Sequence, residues 1–181
     1  MSIQTPDLVQ QITPSAPIRR ETHGWRAKCL QRLVRMQLPV PPSFAIGADT
    51  VRLIAQGRAM PVDALRAIFA GSGLVSVRPS AAMPEWGGPG TVLNVGVNAD
   101  LHARLAEQIG QANADAVYLS FVQNYAIHIA RLDPDLFSHD GPDALSQALR
   151  SYQAEMDQPF PQDPAEQLAQ DFPSAAEDPI T

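Results

Sequence analysis

Residues 71–80 read GSGLVSVRPS, a β-branched run bordered by glycine on one side and an arginine–proline pair on the other. That composition and those borders predict a strand over Leu74–Arg78. The loop AAMPEWGGPG (residues 81–90) follows, and TVLNVG (Thr91–Gly96) reads as a second strand. Further out the pattern is mostly helical. Upstream, Leu30, Leu33 and Val34 form an i, i+3, i+4 stripe within a helix from Gly24 to about Gln37, with Arg32 and Arg35 opposite. LPVPP (Leu38–Pro42) must stop that helix, because proline cannot continue it. Phe44–Ile46 reads as a short buried strand. Asp49 or Thr50 caps a helix to about Gln56, and Pro61 opens another to Ala70. Downstream, helices are predicted at 99–109, 113–131 and 142–156, and Asp163-Pro164 reads as the cap and first turn of one more. The fold class is α+β, helix-rich with a small central sheet.

The chain has 181 residues, enough for one domain with a sizeable core, and its 45% hydrophobic content agrees. Pro6, Pro14 and Pro17 among Ser, Thr and Gln predict a flexible arm over residues 1–22. The domain proper is expected over 23–171, with a frayed tail over 172–181 containing Pro173 and Pro179. The lone cysteine, Cys29, excludes an intrachain disulfide framework. No apolar run reaches membrane-spanning length, and the N-terminus lacks a charged-then-apolar leader, so a soluble cytoplasmic protein with no membrane partner is expected.

Net charge is −6, unevenly spread. Residues 1–60 carry eight Lys or Arg against three acids, residues 61–131 four against five, and residues 132–181 one against eleven. A basic front attracts anions such as phosphate, whereas the acidic back repels nucleic acid, so no nucleic-acid partner is expected.

The four histidines show no metal-ligand spacing, and Cys29 has no neighbouring Cys–His arrangement, so neither a metal site nor nucleophilic catalysis is expected. His128 lies in an aromatic and apolar helix and reads as a satisfied core histidine. Arg78 is more informative. It ends a strand and precedes a loop with Gly87, Gly88 and Gly90, and ligands of α/β proteins commonly bind beyond strand ends. A guanidinium there forks onto phosphate oxygens while loop N–H groups approach the same anion. The alternative is a structural arginine that satisfies loop carbonyls.

LPVPPSFAI (38–46), GLVSVRPS (73–80), TVLNVGVN (91–98) and FPQDPAEQL (160–168) occur in the order and rough spacing of pyruvate phosphate dikinase. The chain resembles that family over about residues 22–170, with TVLNVGVN and FPQDPAEQL the most distinctive pieces. The resemblance implies the first half of an ATP-grasp nucleotide-binding domain. It also implies a site: Arg78 matches the family's strand arginine, and Arg26 aligns with its conserved lysine at the start of the first helix. Lys28 is a rival, but a helical wheel places Arg26 on the buried stripe and Lys28 beside Arg35 on the polar face. Gly87, Gly88, Gly90 and Thr91 complete the implied nucleotide or phosphate cradle. This sequence departs from the family where Trp25 and Ala27 replace glycines, and where Pro79, Pro84 and Glu85 enter the phosphate loop. Prolines remove N–H donors and Glu85 repels phosphate, which weakens the cradle.

ATP with Mg²⁺ is the cofactor by resemblance only, since the family's magnesium ligands belong to the second ATP-grasp half. That half, the phosphohistidine domain and the pyruvate barrel are expected to lie outside this chain. The expected function is an ATP- or phosphate-binding half-domain of dikinase type, an ATP-dependent phosphotransferase relative that does not catalyse phosphoryl transfer alone. The alternative is a non-catalytic regulatory or protein-interaction module that has lost the nucleotide. Either way a homo-oligomer, or a hetero-partner covering the missing half, is expected.

Overall fold

Phe160 marks the centre of the molecule. Its ring meets those of Tyr118, Phe121, Tyr125 and Tyr152 with centroids 5.0–6.1 Å apart, all edge-on. Edge-to-face packing of this kind adds to the burial of large rings. The computed structural model describes residues 9–57, 62–69, 73–80 and 91–176. Three of the five rings come from helix α5 (Gln111–His128), which buries Ala114, Tyr118, Phe121, Val122, Tyr125 and Ala126. A helix with apolar residues on so many sides must be enclosed. Helices α4 (Ala99–Ile109) and α6 (Ala144–Met156) and strand β4 (Val92–Val95) enclose it. Helix α7 (Pro164–Ala176) packs in turn against α2 (Ala48–Ala55) and α3 (Val62–Phe69).

Strand β3 (Val75–Val77) pairs antiparallel with β4, Val75 opposite Val95. Two residues, Gln10–Gln11, form β1 and pair antiparallel with β2 (Phe44–Ala45). The chain is therefore α+β and helix-rich, as expected, and its small sheet structure takes the form of two separate two-stranded ribbons. Of the strand expected at Phe44–Ile46, Ala45 is buried and Phe44 is not.

The stretches that carry the resemblance most distinctly are hydrogen-bonded to each other. Gln167, fully buried, accepts from the Gly96 N–H at 2.8 Å and donates to the carbonyls of Val97 (2.9 Å) and Pro161 (2.8 Å). Gln162 accepts from the Ala99 N–H at 2.9 Å, and its own carbonyl accepts from Asn98 Nδ2 at 3.1 Å. Gly96 has φ +109°, and a Cβ there would collide with the Gly73 carbonyl and the Phe69 ring. Asp163 caps α7 as expected, its Oδ1 accepting from Ala165 N–H at 2.9 Å. The helix runs on to Ala176, past the boundary expected at residue 171.

The front of the molecule is a second, smaller cluster of Ile12, Ala16, Ile18, Ala27 and Ala45. Ile12, Ala16 and Ile18 belong to the segment expected as a loose arm, so residues 10–18 are packed rather than free. Their carbonyls have no regular secondary-structure partners, and helix α1 (Arg20–Arg35) supplies them. Gln31 Nε2 donates to Thr13 O (3.1 Å) and Ala16 O (2.7 Å), Lys28 Nζ to Ile18 O (2.8 Å), and Arg35 Nε to Pro14 O (2.8 Å).

Candidate functional site

Helix α1 is broken at Gly24, whose φ of 78° and ψ of 170° lie outside the helical region. A residue with a Cβ would collide there with the main-chain carbonyl of Ser80. Only glycine fits, because backbone approaches backbone and φ is positive. The helix restarts at Trp25, and its first N–H groups have no partners within the helix. Ser80 Oγ accepts from one of them, Ala27 N–H, at 3.1 Å, so a residue 53 positions downstream acts as the cap. Arg26 Nη1 donates to the Pro79 carbonyl at 2.8 Å. The start of the helix and the end of β3 are thus joined twice, one residue after Arg78.

Arg78 itself is exposed and makes no hydrogen bond or ion pair among the described residues. The structural task of satisfying a loop carbonyl, weighed above for Arg78, falls to Arg26. Thr91 is half-buried next to β4. Gly87, Gly88 and Gly90 lie outside the described residues.

The helical wheel misjudged α1. Arg26 is exposed and Leu33 is 39% exposed, while Gly24, Ala27 and Gln31 are buried. Lys28 is not on a solvent face: its ammonium holds Ile18 O and, at 2.9 Å, Gln31 Oε1. A continuous wheel through Leu30, Leu33 and Val34 takes no account of the break at Gly24. It also assigns polar side chains to water, although residues 13–18 needed their donors. Arg26 remains the cation nearer the strand end, for a reason the wheel did not contain. Ser80 and Gly24, which build the junction, were not singled out; a glycine just ahead of a helical stripe was the available signal.

No family model matches the chain. It is 27% identical over 187 residues to pyruvate, phosphate dikinase 2 of Zea mays, and 27% identical over the same length to pyruvate, phosphate dikinase 1, chloroplastic, of that plant. The chain is distantly related to pyruvate, phosphate dikinase. The match takes in 82% of this chain but 21% and 20% of those two proteins, so the chain spans about a fifth of their length.

Among the described residues the front junction offers cations and N–H groups. Phosphate oxygens fit such donors. Among the described residues no three His, Cys, Asp or Glu side chains cluster closely enough to hold a metal ion. His23 accepts from the Arg19 N–H, and burial holds its pKa below the usual histidine value. Its neutral form adds no cation to the junction. His128, expected in the core, is half-buried. Among the described residues no helix is long and apolar enough to cross a membrane.

Proposed function

We propose that the chain is a nucleotide- or phosphate-binding half-domain of the dikinase type, with its anion site at the front junction. The reading rests on one observation: Ser80 and Pro79 are bonded to the first turn of the restarted α1, which brings the strand end carrying Arg78 to a helix N-terminus. Uncompensated N–H groups and the helix dipole favour an anion there. Arg78 follows β3 directly and its guanidinium is unengaged among the described residues. Arg26 orients the junction and retains further N–H donors for an oxygen. Gly87, Gly88, Gly90 and Thr91 are the proposed remaining wall, from the resemblance. ATP is the nucleotide the resemblance implies. Among the described residues the junction presents cations and amides, and the reading covers binding of the anion rather than its turnover.

Calorimetric titration with ATP, and separately with inorganic phosphate, tests this. Arg78→Ala should weaken binding about tenfold or more, the loss of one charge-assisted contact. The exposed Arg32→Ala on the same helix should not. Equal losses in both variants would mean diffuse attraction to a basic surface and would sink the site.

A second reading, a protein-interaction module, is favoured by Leu33, Met36 and Leu38, which are 39%, 62% and 45% exposed at the end of α1. A homo-oligomer or a hetero-partner covering that patch is the proposed consequence. Sedimentation showing a monomer at high concentration, with no partner retained, would count against it.

A further inference from the structure

Helices α4, α5 and α6 and the chain before α7 line an open cavity of about 620 Å³, a size typical of small-molecule sites. Leu145, Leu149 and Phe160 give it an apolar floor. Tyr118 also lines it and is 4% exposed. The Gln162 amide fixes what that phenol can do. Its Oε1 accepts from the Ala99 N–H, so the amide cannot be reversed, and its Nε2 donates to the Tyr118 oxygen at 3.1 Å. The Tyr118 proton then has no acceptor among the described residues. Because Tyr118 lines an open cavity, that proton is left to whatever occupies the cavity, water or a ligand.

Arg150 lines the same cavity and makes no hydrogen bond or ion pair among the described residues, although it is the one base in residues 132–181 among eleven acids. Two donors in one cavity therefore lack acceptors. The nearby carboxylates differ from each other. Asp115 Oδ1 is occupied by His102 Nε2 at 2.7 Å and Gln111 Nε2 at 2.8 Å. The Asp143 carboxylate, on the cavity wall, has no such partner.

We propose that this cavity binds a small monocarboxylate with an apolar, ring-sized body. Its carboxylate accepts from Tyr118 and pairs with Arg150, and its body lies on Leu145, Leu149 and Phe160. Asp143 and Asp115 set the charge limit. Both aspartates act on any anion against the one guanidinium of Arg150, so a single carboxylate charge is opposed less than the two charges of a phosphate ester. The cavity thus selects against the ligands that the front junction favours, and the two sites stand or fall separately.

Amide-resolved NMR titration of the full chain with 3-phenylpropionate tests the proposal, with 3-phenylpropanamide as neutral isostere and phenyl phosphate as dianion. Saturable shifts are expected at Tyr118 and residues 145–153, with both controls at least about tenfold weaker there. Arg150→Ala and Tyr118→Phe should each weaken 3-phenylpropionate about tenfold and leave phosphate binding at the front unchanged. Absence of saturable shifts up to the solubility of the probe, equal binding of the amide, or undiminished binding in Arg150→Ala would overturn the proposal. Arg150 is exposed, so its variant decides the matter even if Tyr118→Phe does not fold.

Discussion

Two junctions hold remote parts of this chain together, and they are built on opposite principles. At the rear, residues 96–99 meet residues 161–167 through glutamine side chains beside a five-ring aromatic core, and Gln167 is fully buried. At the front, Gly24–Ala27 meets Pro79–Ser80 through an exposed arginine and a serine, above a cluster made mostly of small residues. The rear junction coincides with TVLNVGVN and FPQDPAEQL, the stretches in which the dikinase resemblance is most distinct. Each of those stretches supplies the other's hydrogen-bond partners, so their joint presence has a structural cause independent of any ligand. The proposed anion site lies instead at the front, where Trp25, Ala27 and Pro79 depart from the family pattern. Resemblance and ligand chemistry therefore have to be tested in different places.

The largest effect is expected from Gln167→Leu. It leaves the Gly96 N–H and the carbonyls of Val97 and Pro161 buried without partners, at about 3 kcal/mol or more. Chemical denaturation should show that loss globally; a change below about 1 kcal/mol would end the claim that the rear junction carries the fold. Gly24→Ala comes next, at about 2 kcal/mol, because it adds a Cβ at positive φ against the Ser80 carbonyl. It should also abolish phosphate binding, and retained binding would detach the site from the junction. Lys28→Met, expected at about 1 kcal/mol, leaves Ile18 O without its donor. Amide exchange in residues 12–18 should accelerate while the rear stays protected, and uniform acceleration would mean the two regions unfold as one.

The smallest effect concerns Asp163, whose carboxyl is held below the usual carboxylate range first by the Ala165 N–H and then by Arg66, 3.0 Å away. A depressed folded pKa means that the unfolded chain binds more protons in acid. The contribution is present above the unfolded pKa of about 3.9 and is lost as pH falls through the folded value. Asp163→Asn should therefore cost a few tenths of a kcal/mol near neutrality, since the pair is surface-exposed and Asn still caps. The gap to the parent should close below about pH 4. A gap independent of pH would show that the Asp163 charge contributes nothing.

Sequence periodicity captured whatever depends on one helix at a time. The span 99–109 was read as it stands, and Asp163 was recognised as a cap because capping is local. The polar face of α1 was misread because Lys28, Gln31 and Arg35 serve carbonyls of residues 13–18, a partner no helical wheel contains. The pairing of the front ribbon left no signal, because its strand β1 is two glutamines and strand propensity does not specify partners. At the candidate site, Arg78 and Arg26 were legible by position and resemblance, and Ser80 was not, because its role depends on a contact across 53 residues. His102 and Asp115 lie 13 apart on two helices, outside any ligand-spacing motif, so the cavity they line left no trace in the sequence.

The distribution of rings has an optical consequence. All three tyrosines, Tyr118, Tyr125 and Tyr152, belong to the rear core, while Trp25 stands at the α1 break under the Arg20 guanidinium, 4.9 Å from its ring centroid. In a Trp86→Phe variant, indole emission excited at the red edge of the absorption band comes from Trp25 and reports on the front. Near-ultraviolet dichroism from the phenol rings reports on the rear. With that one replacement the melting of each end can be followed in one sample without a label.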